Sequence, residues 1–253
     1  MWDPRLYLAF GDERARPFHD LMSRVGADAP AEVVDLGCGP ATLTVTLAAR
    51  WPGAHVVGVD SSAEMVAAAE DVDGIEVVQA DLREWEPPGP VDVLVSNATL
   101  QWVPDHLALM PRLVAAVAAG GWLAFQVPGN FAEPSHVLLR EVADSPRWSD
   151  RIGGDLVARP SSHDPETYLA ALAGLGCAVD AWETTYLQVL PGDDAVLDWV
   201  SGTALRPILR VLDQAERAEF TAEYGALLRE AYPVRAFGTL LPYRRIFAVA
   251  RRV

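Results

Sequence analysis

Lysine is absent from the 253-residue chain: all 20 basic side chains are arginine, against 35 Asp and Glu, for a formal net charge of −15. Without lysine there is no Schiff-base nucleophile and no Walker-type phosphate loop. The acidic excess repels phosphate backbones and anionic membranes, because nucleic-acid binding needs many cations to displace counterions. A broad nucleic-acid surface is therefore not expected. Cysteine is scarce as well. Cys38 and Cys177 lie far apart and in no C-x-x-C, which argues against a disulfide framework or zinc knuckle and fits a reducing compartment. The five histidines (His19, His55, His106, His136, His163) form no metal-spaced cluster, so no metal is expected. No G-x-S-x-G nucleophile elbow occurs. The longest apolar run, 107–127, is interrupted by Pro111, Arg112 and the Gly120-Gly121 pair, which excludes a membrane span there. The opening M-W-D-P-R-L-Y-L-A-F lacks the basic region and apolar run of a signal peptide. A soluble cytoplasmic protein is the expectation.

What is present is the supply of a normal globular core. Hydrophobic residues make up 51% and charged residues 22%, suited to one large domain or one domain with an insertion. Between Glu32 and Val127, short β-branched runs alternate with longer stretches rich in Ala and Leu. Strands are expected over 32–36, 55–59, 75–79, 91–96 and 122–127, and helices over 42–50, 63–70 and 106–118. These strands are apolar on both faces, as in a parallel sheet covered by helices. The alternation implies right-handed βαβ units and an α/β, doubly wound, Rossmann-like sheet. Beyond Pro128 the pattern changes. Residues 129–163 are rich in Pro, Gly, Ser and Arg, with one helical candidate at 136–142. A helix over 165–174, a strand over 178–189, a helical stretch over 193–232 split near Asp213, and a terminal strand over 244–250 follow. That last strand is expected to run antiparallel to an otherwise parallel sheet. The expected organisation is an N-terminal helical lid (1–30), a ligand-binding α/β domain (31–190 and 233–253) and a helical cap over the substrate site (191–232).

The strongest local signal is V-V-D-L-G-C-G-P-A, from Val33 to Ala41. Gly37 and Gly39 sit where a strand turns towards a helix, so the backbone can approach a ligand without a Cβ in the way. The helix N-terminus beyond them offers unpaired N–H groups. Asp60 ends the second strand, where a carboxylate can accept from ribose hydroxyls. Asp81 and Leu82 follow the third strand on the same carboxyl-terminal edge, the edge where open α/β sheets bind ligands. There Asp81 can accept from an adenine amino group while Leu82 covers the ring.

D-L-G-C-G at 35–39, G-V-D at 58–60, A-D-L at 80–82 and S-N-A-T-L-Q-W at 96–102 together resemble class I S-adenosylmethionine-dependent methyltransferases. A dinucleotide dehydrogenase would carry G-x-G-x-x-G, and Thr42 stands at its third Gly. The methyltransferase signature D-x-G-x-G-x-G is met except at its last position, where Ala41 stands. The resemblance implies S-adenosyl-L-methionine as cofactor, with Asp35, Gly37, Gly39, Asp60, Ser61, Met65, Asp81, Leu82, Asn97 and Trp102 as its candidate contacts. Met65 is equally well read as core packing. Tyr7, Arg14 and Arg16 are candidates for a lid, or for simple docking of the N-terminal helix.

A narrower resemblance, to trans-aconitate 2-methyltransferases, runs along almost the whole chain. It rests on the opening W-D-P-R-L-Y-L-A-F, S-N-A-T-L-Q-W-V-P-D-H at 96–106, P-G-N-F-A-E-P-S-H at 128–136, G-C-A-V-D-A-W-E-T-T-Y at 176–186, D-W-V-S-G-T-A-L-R-P at 198–207 and P-Y-R-R-I-F at 242–247. The sheet motifs are generic to the superfamily; the P-G-N-F and D-W-V segments are more specific. The resemblance implies transfer of a methyl group to one carboxylate of trans-aconitate, a small polycarboxylate. Other readings are methylation of another acid or of a carrier-bound malonyl group, a dehydrogenase on the same sheet edge, and a non-catalytic cofactor-binding protein.

The chemistry agrees with this implication. A carboxylate with a pKa near ~4 is already ionised at neutral pH and needs no general base, and no catalytic residue is assigned. What is needed is placement, which contributes up to ~7–11 kcal/mol in favourable cases. Arginine forks suit the clamping of the carboxylates that do not react. Arg206 and the Arg244-Arg245 pair are the leading clamps. Strand alternation lets at most one of Arg244 and Arg245 point inward, and Arg244, beside Tyr243, is preferred. Asn130 and His136 are candidate substrate contacts or loop ties, and Trp199 is a candidate contact or a core residue.

Overall fold

Val33 to Leu36 are all buried, and their strand, β1 (Glu32–Leu36), is the centre from which the sheet grows on both sides. The structure, a computed structural model, describes residues 11–152 and 162–253. β1 pairs in parallel with β2 (His55–Asp60) on one side and β4 (Val91–Asn97) on the other. β3 (Glu76–Gln79) extends the first flank and β5 (Val117–Pro128) the second, both in parallel. The order is β3-β2-β1-β4-β5-β8-β6, with β6 over Cys177–Leu190 and β8 over Gly238–Arg252. β8 is antiparallel to β5, with Phe247 opposite Gln126 and Arg245 opposite Pro128, as expected of the terminal strand. The two-residue β7 (Val234–Arg235) pairs with the start of β8.

Helices α1 (Gly11–Met22), α2 (Thr44–Arg50), α3 (Ala63–Ala69), α4 (Met110–Ala116), α5 (Pro134–Ala143), α6 (Ser149–Ile152), α7 (Pro165–Ala173), α8 (Ala195–Ser201), α9 (Arg206–Val211) and α10 (Gln214–Ala231) complete the fold. Three expected helices are shorter or divided. The helix after β1 starts at Thr44, not Thr42, because Ala41 takes a left-handed turn at φ 57°. The expected helix over 106–118 opens as a 3-10 turn (His106–Leu109), and Val117 already lies in β5 opposite Val91. The stretch 193–232 breaks twice. Gly202 ends α8, Pro207 opens α9, and Asp213 forms a capping box with Glu216 at the start of α10.

The chain falls into two compact units, and each has its own core. One comprises Arg14–Pro128, Ser161–Thr184 and Arg245–Val253. Its core is the sheet's Val34, Leu36, Leu94, Leu123, Phe125 and Ala248, covered by Met110, Leu113, Tyr168 and Leu172 from α4 and α7. The other comprises Met1–Glu13, Gly129–Pro160 and Thr185–Arg244. Its core joins Leu139, Val142 and Trp148 to Val196, Trp199, Leu205, Ile208, Phe220, Tyr224 and Leu241. This division differs from the expected cap of 191–232. The Pro- and Gly-rich stretch after Pro128 supplies apolar α5 residues that α10 needs as partners, so 129–152 belongs with the late helices. At the other end of the chain, Phe18, Leu21, Met22 and Val25 are buried. Arg50 ties Met22 O and Val25 O at 2.5 and 2.7 Å. Residues Phe18 to Val25 thus pack against the unit that holds the sheet. Tyr7 lies outside the described residues, and Arg14 is described only as backbone. No helix among the described residues is long and apolar enough to cross a membrane.

Candidate methyl-donor and acid sites

The loop after β1 is shaped by its glycines. Gly37 has φ 81°, and a Cβ there would lie 2.2 Å from the Thr99 side chain. Its N–H donates to Val59 O at 2.7 Å, which ties the loop to β2. Gly39, at φ 56°, faces open space, with nothing within 4 Å of where its Cβ would be. The first glycine thus fits β4 closely, and the second leaves room for a ligand to touch backbone.

Asp60, at the end of β2, braces this loop. One carboxylate oxygen accepts Gly39 N–H and the other Ser62 N–H, each at 2.9 Å. Each oxygen keeps a further lone pair, so a ribose hydroxyl remains an available donor to it. Ser61 is exposed and Met65 half-buried in the stretch that follows. Asp81 takes the Arg83 guanidinium through both oxygens, at 3.0 Å from Nε and 2.5 Å from Nη2. These bonds, with a further one from the Arg83 backbone, hold its carboxyl at about 2, below the usual range. Leu82 is buried in the sheet core, and its carbonyl is held by Arg112 at 2.5 Å.

Asp35, the first residue of the signature, is only 2% exposed. Oδ2 accepts the Thr44 hydroxyl at 2.7 Å, while the buried Oδ1 has no hydrogen-bond partner among the described residues. Burial raises its pKa to about 6; the Thr44 bond pulls downward and the nearby Asp60 charge adds to the rise. A buried carboxyl with an unused oxygen is a site for a cationic or hydrogen-donating ligand.

At the end of β4, Asn97 Oδ1 accepts from Gln126 Nε2 at 2.6 Å, and Gln126 Oε1 accepts from Arg245 Nη1 at 3.2 Å. Thr99 Oγ1 bonds both Asn97 O and Gly37 O, at 3.1 and 3.2 Å, which joins β4 to the glycine loop. Gln126 is not among the sequence-based candidates, and Arg245 is weighed there only as a clamp for the acid. The available signal was a lone polar residue, Gln126, inside the buried run L-A-F-Q-V-P. Trp102 stands 58% exposed on the turn after β4. The two tail arginines differ in burial. Arg245 is the buried arginine, whereas Arg244 is half-buried and reaches Gly129 O at 3.5 Å.

The remaining candidates lie in the second unit. Trp199 is a core residue there, edge-on to Tyr243 at 5.5 Å. Asn130 Nδ2 and the Ser135 hydroxyl point at His136 Nδ1, at 3.4 and 3.2 Å, while the buried Asn130 Oδ1 has no partner among the described residues. Burial, aided by Arg140, lowers the His136 pKa to about 4. The ring is neutral at pH 7. With Nδ1 accepting from Asn130, its proton sits on Nε2. Arg206 is half-buried, and its guanidinium makes no hydrogen bond or ion pair among the described residues. No group of three or more His, Cys, Asp or Glu is placed to hold a metal among the described residues.

A family profile described as a methyltransferase domain matches residues 7–181. A trans-aconitate 2-methyltransferase of Streptomyces avermitilis is 51% identical, covering 99% of this chain and 97% of that protein. The enzyme of the same name from Rhodococcus jostii is 52% identical and covers 99% of both. This chain belongs to the trans-aconitate 2-methyltransferase family. The member from Mycobacterium tuberculosis is 48% identical over 99% of this chain and 96% of that one. Solved structures share the fold at greater distance. The YcgJ protein of Bacillus subtilis matches with a TM-score of 0.60 at 13% identity, covering 94% of this chain and 98% of that one. A phosphoethanolamine N-methyltransferase of Haemonchus contortus in complex with S-adenosyl-L-methionine gives 0.56 at 17% identity, covering 94% and 53%.

The cofactor of this methyltransferase family is S-adenosyl-L-methionine. The residues present fit it. The unused Oδ1 of Asp35 suits a cation, and the open space at Gly39 suits a ligand laid on the loop. Asp60, at the end of β2, keeps lone pairs of the kind a ribose hydroxyl donates to.

Proposed function

We propose that the chain transfers one methyl group from S-adenosylmethionine to a carboxylate of trans-aconitate, giving a monomethyl ester and S-adenosylhomocysteine. The observation that carries this reading is identity of about half over nearly the whole chain to relatives of that name. When bound, the cofactor supplies an electrophilic methyl carbon on a positively charged sulfur. Asp35, Gly37, Gly39 and Asp60 hold it, with Ser61, Met65, Asp81, Leu82, Asn97 and Trp102 as further contacts. For Asp81, an adenine contact displaces or shares the exposed Arg83, which costs little because solvent screens a surface ion pair.

The acid arrives already ionised, so the chain has no proton to remove from it. This accords with a site whose buried histidine, His136, is neutral and presents Nε2–H as a donor. Arg206 and Arg244 are the proposed clamps for the carboxylates that do not react, and Asn130 and Tyr243 are proposed neighbours of the acid. Arg206 supports this best, as a half-buried guanidinium with no partner among the described residues. Trp199 acts at one remove, by backing Tyr243. The free thiols Cys38 and Cys177 accord with a cytoplasmic setting.

The test is methyl transfer measured across a panel of di- and tricarboxylic acids, including isopropylmalate and a carrier-bound malonyl group, with Arg206→Ala and Arg244→Ala alongside. Trans-aconitate is expected to have the highest kcat/KM. Each variant is expected to raise KM for the acid about 10- to 100-fold, the loss of a charge-assisted bond. Wild-type KM in both variants overturns the clamp assignment. Cofactor binding without transfer to any acid overturns the enzymatic reading.

A further inference from the structure

We propose that Arg245, acting through Gln126, fixes the amide of Asn97 so that its two N–H donors face a carboxylate of the bound ligands. This rests on the methyltransferase reading above and adds two positioning residues to it. Arg245 is 7% exposed and Gln126 is 1% exposed. A guanidinium has donors only. The Gln126 oxygen that Arg245 meets at 3.2 Å must therefore be Oε1, which leaves Nε2 to face Asn97 at 2.6 Å. An amide N–H2 has no lone pair to accept with, so the Asn97 atom it meets must be Oδ1. The polarity of the whole row is thus set by the one residue in it that cannot turn over.

Asn97 Nδ2 is what remains. It makes no hydrogen bond among the described residues, and it sits on the last residue of β4, one of the two strands flanking the point where the strand order reverses. Thr99 ties this spot to Gly37 O and Asn97 O. Ligands of open α/β sheets lie at that reversal. A fixed pair of donors selects an acceptor, and the ligands of this reaction carry carboxylates in two places: on the acid, and on the amino-acid end of the cofactor.

Gln126→Glu tests the orientation with almost no change of shape. One oxygen of the new carboxylate still accepts from Arg245. The other now demands a donor from Asn97, whose amide must turn and present Oδ1 outward. Both hydrogen bonds survive, and the buried arginine gains a charge partner, so the melting temperature is expected to stay level or rise. Affinity is expected to fall about 10- to 100-fold for whichever ligand places its carboxylate there. KM for trans-aconitate reads the acid, and Kd for S-adenosylhomocysteine reads the cofactor. Gln126→Met serves as control, because it releases Asn97 without reversing it and is expected to cost only a few-fold. A loss in one ligand that Q126E shows and Q126M does not supports the proposal and names the source. Wild-type constants for both ligands in a folded Q126E, or equal losses in the two variants, overturn it. Absence of turnover by the wild-type protein on every acid would instead refute the substrate reading, while the S-adenosylhomocysteine arm would still decide this inference.

Discussion

Asp35→Asn should make stability less dependent on pH, by an amount the structure sets. The native carboxyl has a pKa of about 6, against ~3.9 for an aspartate in an unfolded chain. Between those values the native state holds a proton that the unfolded state has lost, so stability is full at low pH and falls as pH rises. Two units correspond to a loss of about 3 kcal/mol at pH 7.5, at 1.36 kcal/mol per unit. About 2 kcal/mol of this falls between pH 4.5 and 7.5. Asparagine can still accept the Thr44 hydroxyl and carries no titrating group. Whatever fixed cost its N–H2 brings beside the unused position is the same at every pH. The difference in unfolding free energy between variant and wild type, from urea melts across that range, should therefore grow in the variant's favour by about 2 kcal/mol. A cationic ligand beside Asp35 restores the carboxylate, so wild type should bind S-adenosylhomocysteine more tightly at pH 7.5 than at pH 5, and the variant should lose that trend. A stability difference that is flat with pH, or that favours wild type increasingly as pH rises, would refute the reasoning.

Other predictions concern folding and fit. Gly37→Ala should destabilise by about 2–5 kcal/mol in urea melts, from left-handed backbone plus the overlap with Thr99. Gly39→Ala carries only the backbone cost of about 1–2 kcal/mol, yet should weaken S-adenosylhomocysteine binding in calorimetry, because its methyl enters the open space. Tyr168→Phe should cost about 1–3 kcal/mol, since the Tyr168 hydroxyl lies 2.7 Å from His106 Nε2 and 3.1 Å from His163 N. Asp213→Ala should cost about 1 kcal/mol through loss of the α10 capping box, read as a fall in melting temperature.

The parallel sheet was legible because Val33–Leu36 are buried on both faces, Val56–Val59 and Val91–Val95 are buried except at Val57 and Asp92, and helical patterns separate them. The glycine loop and Asp60 were legible because their spacing follows from a strand-to-helix turn at a ligand edge. The second unit was not. Residues 129–152 look like a loop by composition, and the apolar face of α5 has meaning only against α10, a contact across some eighty residues. Periodicity separates Arg244 from Arg245, yet it carries no information on which of them is covered. Gln126 was passed over for the same reason. Its partners, Arg245 and Asn97, come from strands that meet only once the sheet is built.

The central claim is that a carboxylate oxygen receives the methyl group. It is tested most directly by incubating the protein with S-adenosylmethionine labelled with carbon-13 in its methyl group and with trans-aconitate, then following the label by NMR. The expected product has one new methoxy carbon, which mild base releases as methanol, with one equivalent of S-adenosylhomocysteine formed. Label that stays in the cofactor, or that reaches a base-stable position on nitrogen or carbon, would contradict the account.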